Sequence, residues 1–149
     1  MLLAVYSVFV TTIASAQCVL PFEEGAWTND DPNTGGITRI TVGFDCDDVT
    51  YCGIDADGNV TCEEPSAPFS LHLWGNCSPS DCDWGTSEGN IRYVGSTQWV
   101  YSRYDHGFAT RFVYIKPSTL KPGHLYLWMY TAFVDPGRSP YIYRGWFHK

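Results

Sequence analysis

Residues 69–85 read FSLHLWGNCSPSDCDWG, and the fold follows from how this stretch changes character half-way along. Phe69, Leu71 and Leu73 alternate with Ser70, His72 and Trp74, the period of two of a half-buried strand. Gly75-Asn76 ends the alternation. Cys77 and Cys82 then bracket Ser-Pro-Ser-Asp, in which Pro presets one dihedral and Ser or Asp can bond to nearby backbone. So short a turn brings two thiols within bonding range, and a local Cys77–Cys82 disulfide is expected. The stretch therefore predicts a strand feeding a cross-linked elbow.

Two motifs around this elbow carry a resemblance. Gly25-Ala-Trp27-Thr-Asn29-Asp30-Asp31-Pro32-Asn33-Thr34-Gly35-Gly36-Ile37-Thr38-Arg39-Ile40, with Leu73 to Cys77 and Ser80 to Gly85 downstream, resembles a group of secreted β domains. Their common frame is GxWxNxDPxTxGITRI followed by WGxCxPxDCDWG. The similarity spans Gly25 to Gly85 apart from an insert, and implies a secreted β domain without attaching an activity to it. The GxW opening and the run of antiparallel strands are also similar to lipocalins and avidins, and the WTND string resembles the avidin start. That resemblance implies an up-and-down barrel with a basic residue packed across Trp27. Arg144, in the last strand, is the candidate.

Residues 1–16, MLLAVYSVFVTTIASA, carry no charged side chain and end in Ala14-Ser15-Ala16, the small-residue signature of a secretory signal. Thr11, Thr12, Ser15 and Gln17 interrupt the segment too early for an anchor of about 20 apolar residues. The expectation is a signal peptide over 1–16 and one secreted, extracellular domain over 17–149 with no membrane partner. All six cysteines, Cys18, Cys46, Cys52, Cys62, Cys77 and Cys82, fall in that domain. An even count in a secreted chain reads as disulfides. Zinc is the weaker reading, because paired CxxC spacings are missing and His72, His106, His124 and His148 are scattered. Partners for Cys18, Cys46, Cys52 and Cys62 stay open, with one bridge expected inside 46–62.

Residues 45–64 form an acidic, cysteine-rich insert. They hold Asp45, Asp47, Asp48, Asp55, Asp57, Glu63 and Glu64 and no basic residue, enough to account for the formal net charge of −7. Asp55, Asp57 and Asn59 around Gly58 echo the alternating oxygen ligands of a calcium loop. A hairpin turn explains the same residues and is the preferred reading; no other cofactor is expected. Asn59-Val60-Thr61 is a glycosylation sequon. Asn76-Cys77-Ser78 is a second, and Asn59 is the better acceptor because Asn76 abuts the expected bridge.

Strands are expected at 25–29, 37–44, 69–74, 91–94, 98–104, 108–115, 125–134 and 141–147, separated by Gly, Pro and Asp turns, with no amphipathic helix. About eight strands at hairpin spacing predict an all-β, antiparallel up-and-down barrel with a disulfide-rich insert, a β-sandwich being the alternative. Residues 125–134 are apolar on both faces. Leu125, Leu127, Met129 and Phe133 form one row, and Tyr126, Trp128, Tyr130 and Val134 the other. One row suffices to face a core, so the amphipathic second row needs a cover: a loop, another subunit or a ligand.

No nucleophile elbow, HExxH or glycine-rich phosphate loop is present, and paired cysteines leave no free thiol. Asp81 and Asp83 beside Trp84 have the composition of a glycosidase pair but fall on opposite sides of an extended chain, and Asp105-His106 makes no better dyad. An enzyme is not expected. The acidic chain with dispersed bases disfavours nucleic acid. What remains is a secreted, disulfide-stabilised binding protein for a small molecule or glycan, with Asn29, Asp81, Asp83, Trp84, Tyr126, Trp128 and Tyr130 as candidate contacts. The alternative is an extracellular matrix or coat protein, a homo-oligomer whose acidic loop contacts calcium. An apolar interior cavity with convergent polar groups favours the first, and a filled interior with an exposed acidic loop and an aromatic outer patch the second.

Overall fold

The computed structural model describes residues 19–46, 52–62 and 67–149. The expected signal segment, Cys18, Asp47, Asp48, Glu63 and Glu64 lie outside them. The described residues form ten strands and no helix: β1 (Gly25–Asn29), β2 (Ile37–Phe44), β3 (Cys52–Ile54), β4 (Val60–Cys62), β5 (Phe69–Gly75), β6 (Cys82–Val94), β7 (Thr97–Asp105), β8 (Ala109–Pro117), β9 (Leu125–Phe133) and β10 (Tyr141–His148). Eight of them close into one antiparallel barrel in the order β1-β10-β9-β8-β7-β6-β5-β2. Because β1 pairs with both β2 and β10, the barrel sheet has no open edge and the sandwich alternative drops out.

Alternation decides which side chains go inside. In β8, Ala109, Arg111, Val113 and Ile115 are buried; in β9, Leu125, Leu127, Met129 and Thr131 are; in β5, Phe69, Leu71 and Leu73 are. The apolar ones among these, Ala109 apart, join Trp27, Ile40, Val42, Val100 and Phe147 in one packed core cluster inside the barrel, as eight strands allow. Each such aliphatic side chain removed from water contributes about 1.5–3 kcal/mol.

Strand β6 is longer than its sequence predicts, running from Cys82 to Val94 rather than from residue 91. Thr86 to Asn90 looks like a turn by composition. Small residues are what this strand needs on its inner row, because a Cβ at Gly89 would come within 2.7 Å of Leu71 and 2.8 Å of Phe69. The core of the neighbouring strands fills the space that a side chain would take.

The elbow between β5 and β6 is cross-linked as the sequence predicts. Cys77 and Cys82 are bonded with their Cα atoms 5.4 Å apart, and the Asn76 amide donates to the Gly36 carbonyl at 2.8 Å, tying the elbow to the loop after β1. Cys46 is disulfide-bonded as well. The insert forms its own ladder, β3 on β4, turned by Asp55 to Asn59.

The base across Trp27 is Lys149 rather than Arg144. Lys149 Nζ lies 4.6 Å from the indole centroid. Arg144 falls on the outward, exposed row of β10, between the inward Tyr143 and Gly145. A one-residue difference in parity puts a side chain on the opposite face of a strand.

Candidate functional site

A broad depression lies on the outer face of β7 to β10. Register places Tyr114 beside Trp128, Lys116 beside Tyr126, and Tyr126 beside Trp146. Ring centroids are 5.6 Å apart for Tyr114–Trp128, 6.1 Å for Trp99–Tyr126 and 5.3 Å for Tyr126–Trp146. These outward rings wall a groove of about 490 Å³ lined by Val94, Trp99, Tyr114, Lys116, Tyr126 and Trp128. Val94 reaches it from the tip of the β6–β7 hairpin, where Gly95 takes the positive φ of 63° that a two-residue turn requires. A second hollow of about 280 Å³ shares Lys116 and Tyr126 and continues past Ser118, Thr119, Leu120 and Trp146. The two are lobes of one trough. Its one charged lining residue, Lys116, sits with Nζ 4.8 Å from the Trp99 ring centroid, and it forms no ion pair with the described carboxylates.

The outer face of β2, β5 and β6 is different. Trp74 stacks on His72 with centroids 4.0 Å apart, and Arg39 lies 4.6 Å from the Trp74 centroid. Arg39 pairs with Asp81 at 3.4 Å, and Asp81 accepts from Thr38 Oγ1 at 2.8 Å. Asp83 accepts the Gly85 amide at 2.7 Å and meets His72 Nε2 at 2.6 Å, while Thr86 reaches the other ring nitrogen at 2.9 Å. The Gly85 amide, and then His72, hold the Asp83 carboxyl below its ordinary value of 3.8. Each of the two carboxylates thus has partners on its own face.

A third cluster occupies the barrel end that carries the elbow. Asn29 is buried; its side-chain amide donates to Ile37 O at 2.6 Å and to Tyr143 Oη at 2.7 Å, and its Oδ1 accepts the Asp31 amide at 2.8 Å. Trp84 covers Gly75, where a Cβ would lie 2.6 Å from the indole nitrogen. Arg111 points inward with its guanidinium carbon 4.1 Å from the Trp84 centroid and Nη1 2.5 Å from His106 Nδ1. His106 Nε2 then faces the Trp84 carbonyl at 3.2 Å. Tyr104, also inward, donates to the Leu71 carbonyl, and burial pushes its phenol well above the ordinary value of 10.0. Arg111 Nε and Thr131 Oγ1 are buried without a partner.

At the β1–β10 junction Asp30 bonds Lys121, meets His148 Nδ1 at 2.7 Å and lies 3.5 Å from His124 Nε2. Partial burial acts to raise its carboxyl, but the hydrogen bonds from Lys121 and His148 and the nearby positive charge outweigh it and leave it below 3.8. In the insert, Asp55 Oδ1 accepts the Asp57 and Asn59 amides at 3.0 and 2.9 Å, and its Oδ2 accepts from Asn59 Nδ2 at 3.0 Å. The Asn59 side chain foremost holds the Asp55 carboxyl below its ordinary value. That is the geometry of an Asx turn. Among the described residues no group of three His, Cys, Asp or Glu side chains is placed to hold a metal ion.

The sequence-predicted contacts thus separate into distinct places. Tyr126 and Trp128 line the trough, whereas Tyr130 lies further along the same face against Phe112, with centroids 6.2 Å apart. Asn29 and Trp84 belong to the barrel end, Asp81 and Asp83 to the polar face, and Asp55, Asp57 and Asn59 to the turn of the insert, where Asn59 is exposed. Trp99, Tyr114, Lys116 and Trp146 escape a reading of single strands. The outward parity of residues 98–104, 108–115 and 141–147, laid side by side as antiparallel neighbours, is the signal that would find them. No protein-family model, no curated protein and no solved structure matches this chain.

Proposed function

We propose that this chain is a secreted, disulfide-stabilised barrel that binds a glycan or a similar small ring-bearing molecule on its outer face. The observation that supports this reading is the trough of β7 to β10, whose first lobe of about 490 Å³ is walled by Trp99, Tyr114, Tyr126 and Trp128. That volume falls in the range of small-molecule sites. Tyrosine and tryptophan offer flat apolar faces with polar tips, which suits the apolar face and hydroxyl rim of a pyranose ring. Ser118 and Thr119 add hydroxyls in the second lobe. The packed core cluster inside the barrel does not support the lipocalin-like version, a ligand held in the core, and by itself favours the second reading below; the outer trough is what supports this one. Tryptophan fluorescence and calorimetric titration with a panel of neutral and acidic oligosaccharides test the reading. Saturable quenching that disappears in Trp128→Ala is the expected result, and absence of heat and quenching across the panel overturns it.

A second reading draws on the apolar residues bordering the same face. Tyr93 and Val94 on the hairpin and Tyr141, Ile142 and Trp146 on β10 are exposed, as they would be where copies of a coat or matrix protein join. Analytical ultracentrifugation separates the two readings: a monomer that binds sugar supports the first, and a dimer dissociated by Ile142→Glu or Tyr93→Glu supports the second.

A further inference from the structure

Arg111 is a cation inside the barrel without a counter-ion among the described residues. It is 8% exposed, Thr131 is 0% exposed, and the two stand directly opposite on β8 and β9 with both side chains turned inward. Cβ atoms of such a pair lie about 4.5–5.5 Å apart. Arg111 Nη1 is used by His106 Nδ1, at 2.5 Å. Since arginine only donates, that nitrogen of His106 accepts, and the ring's proton sits on Nε2, facing the Trp84 carbonyl at 3.2 Å. Trp84 and Phe108 present ring faces to the guanidinium, at 4.1 and 5.5 Å. None of these neighbours carries negative charge, and no described carboxylate pairs with Arg111. Nε and Thr131 Oγ1 are left with nothing. Buried charges in proteins are ordinarily paired, and ring faces offset less than the desolvation of a guanidinium takes away. Two buried hydrogen-bonding groups without partners, one of them on a cation, thus stand on directly opposed residues of β8 and β9.

We propose that the elbow end of the barrel binds a small monovalent anion, a carboxylate or a halide, between Arg111 Nε and Thr131 Oγ1. Nε–H and the threonine hydroxyl both donate to it. Tyr104, on the far side of Arg111 in the register, and Trp84 occupy the neighbouring space, so the ion has to be compact. Bound there, it neutralises the guanidinium that holds His106 and Trp84 in place, and so fixes the β7–β8 turn against the start of β6. This site is independent of the outer trough.

Thermal unfolding of the full chain at constant ionic strength tests it, with sodium gluconate replaced stepwise by sodium formate, sodium acetate or sodium chloride. The midpoint of the wild type should climb with the logarithm of formate concentration, as for a ligand of the folded state. Chloride against formate tells whether a halide or a carboxylate is preferred. Arg111→Gln should abolish the climb, Thr131→Val should weaken apparent affinity by about fivefold or more, and Lys116→Gln, in the outer trough, should leave it unchanged. Midpoints equal in gluconate, formate, acetate and chloride would overturn the proposal, as would a climb that survives in Arg111→Gln or disappears in Lys116→Gln. Should Arg111→Gln not fold, calorimetric titration of formate into the wild type and Thr131→Val decides: unaltered heats in Thr131→Val, or no binding to the wild type, reject the site.

Discussion

Two outer faces of one barrel carry tryptophan, and they use it in opposite ways. On β2, β5 and β6, Trp74 is sandwiched between His72 and Arg39, and Asp81 and Asp83 are consumed by Arg39, Thr38, His72 and Gly85. On β7 to β10, Tyr114 meets Trp99 and Trp128 edgewise, Tyr126 meets Trp99 and Trp146 at a tilt, and a trough lies between these rings. On the first face the ring is stacked and both carboxylates are paired. The second presents apolar ring area and a lysine without a carboxylate. What separates the two faces is therefore unfinished contacts rather than aromatic content, and of the motif residues Trp74, Asp81 and Asp83 sit on the first face.

The comparison can be broken or sharpened by substitution. The largest effect is expected behind the trough. Leu127→Ala, on the inward row of β9, should lower unfolding free energy by about 2–5 kcal/mol in urea titrations, because the packed interior cannot collapse onto the gap. One residue further on, Trp128→Ala should cost about 2 kcal/mol or more of binding to the best oligosaccharide, some 30-fold, with a smaller loss of stability. Trp74→Ala should do the reverse, lowering stability by about 1–2 kcal/mol with the same ligand bound as tightly as before. If Trp74→Ala lost binding as Trp128→Ala does, the two faces would not differ in kind. The smallest effect concerns acid. Asp30 and Asp83 titrate below their ordinary 3.8 in the folded protein, so the stability they contribute is present above that value and is lost as pH falls through the lower folded values. Asp30→Asn should flatten the fall of the urea midpoint between about pH 5 and about pH 2, and Asp83→Asn should flatten it on the other face.

Much of this architecture is legible in local sequence because a strand's period of two is local information. Phe69, Leu71 and Leu73 announce β5, the Pro-Ser-Asp centre announces the elbow, and the double apolar row of residues 125–134 announces an outer surface in need of cover. β6 hides because its inner row is small where β5 and β7 supply the bulk, a fact about neighbours rather than about itself. Trp99, Lys116 and Trp146 meet only through cross-strand register. Arg111 reads as one of nine dispersed basic residues until parity turns it inward, and Lys149 takes the place over Trp27 expected of Arg144 for the same reason.

The joints of the barrel differ in length. Between β10 and β9 seven pairs of residues face each other, from Tyr141↔Thr131 to Phe147↔Leu125, whereas β1 meets β10 only at Thr28↔His148 and Asn29↔Phe147. Asp30, bound to Lys121 and His148, straddles that short seam like a bolt. Opening events should start there, so amide protons at Thr28 and Asn29 would exchange with deuterium sooner than those of β8 and β9, and sooner still once acid draws the bolt.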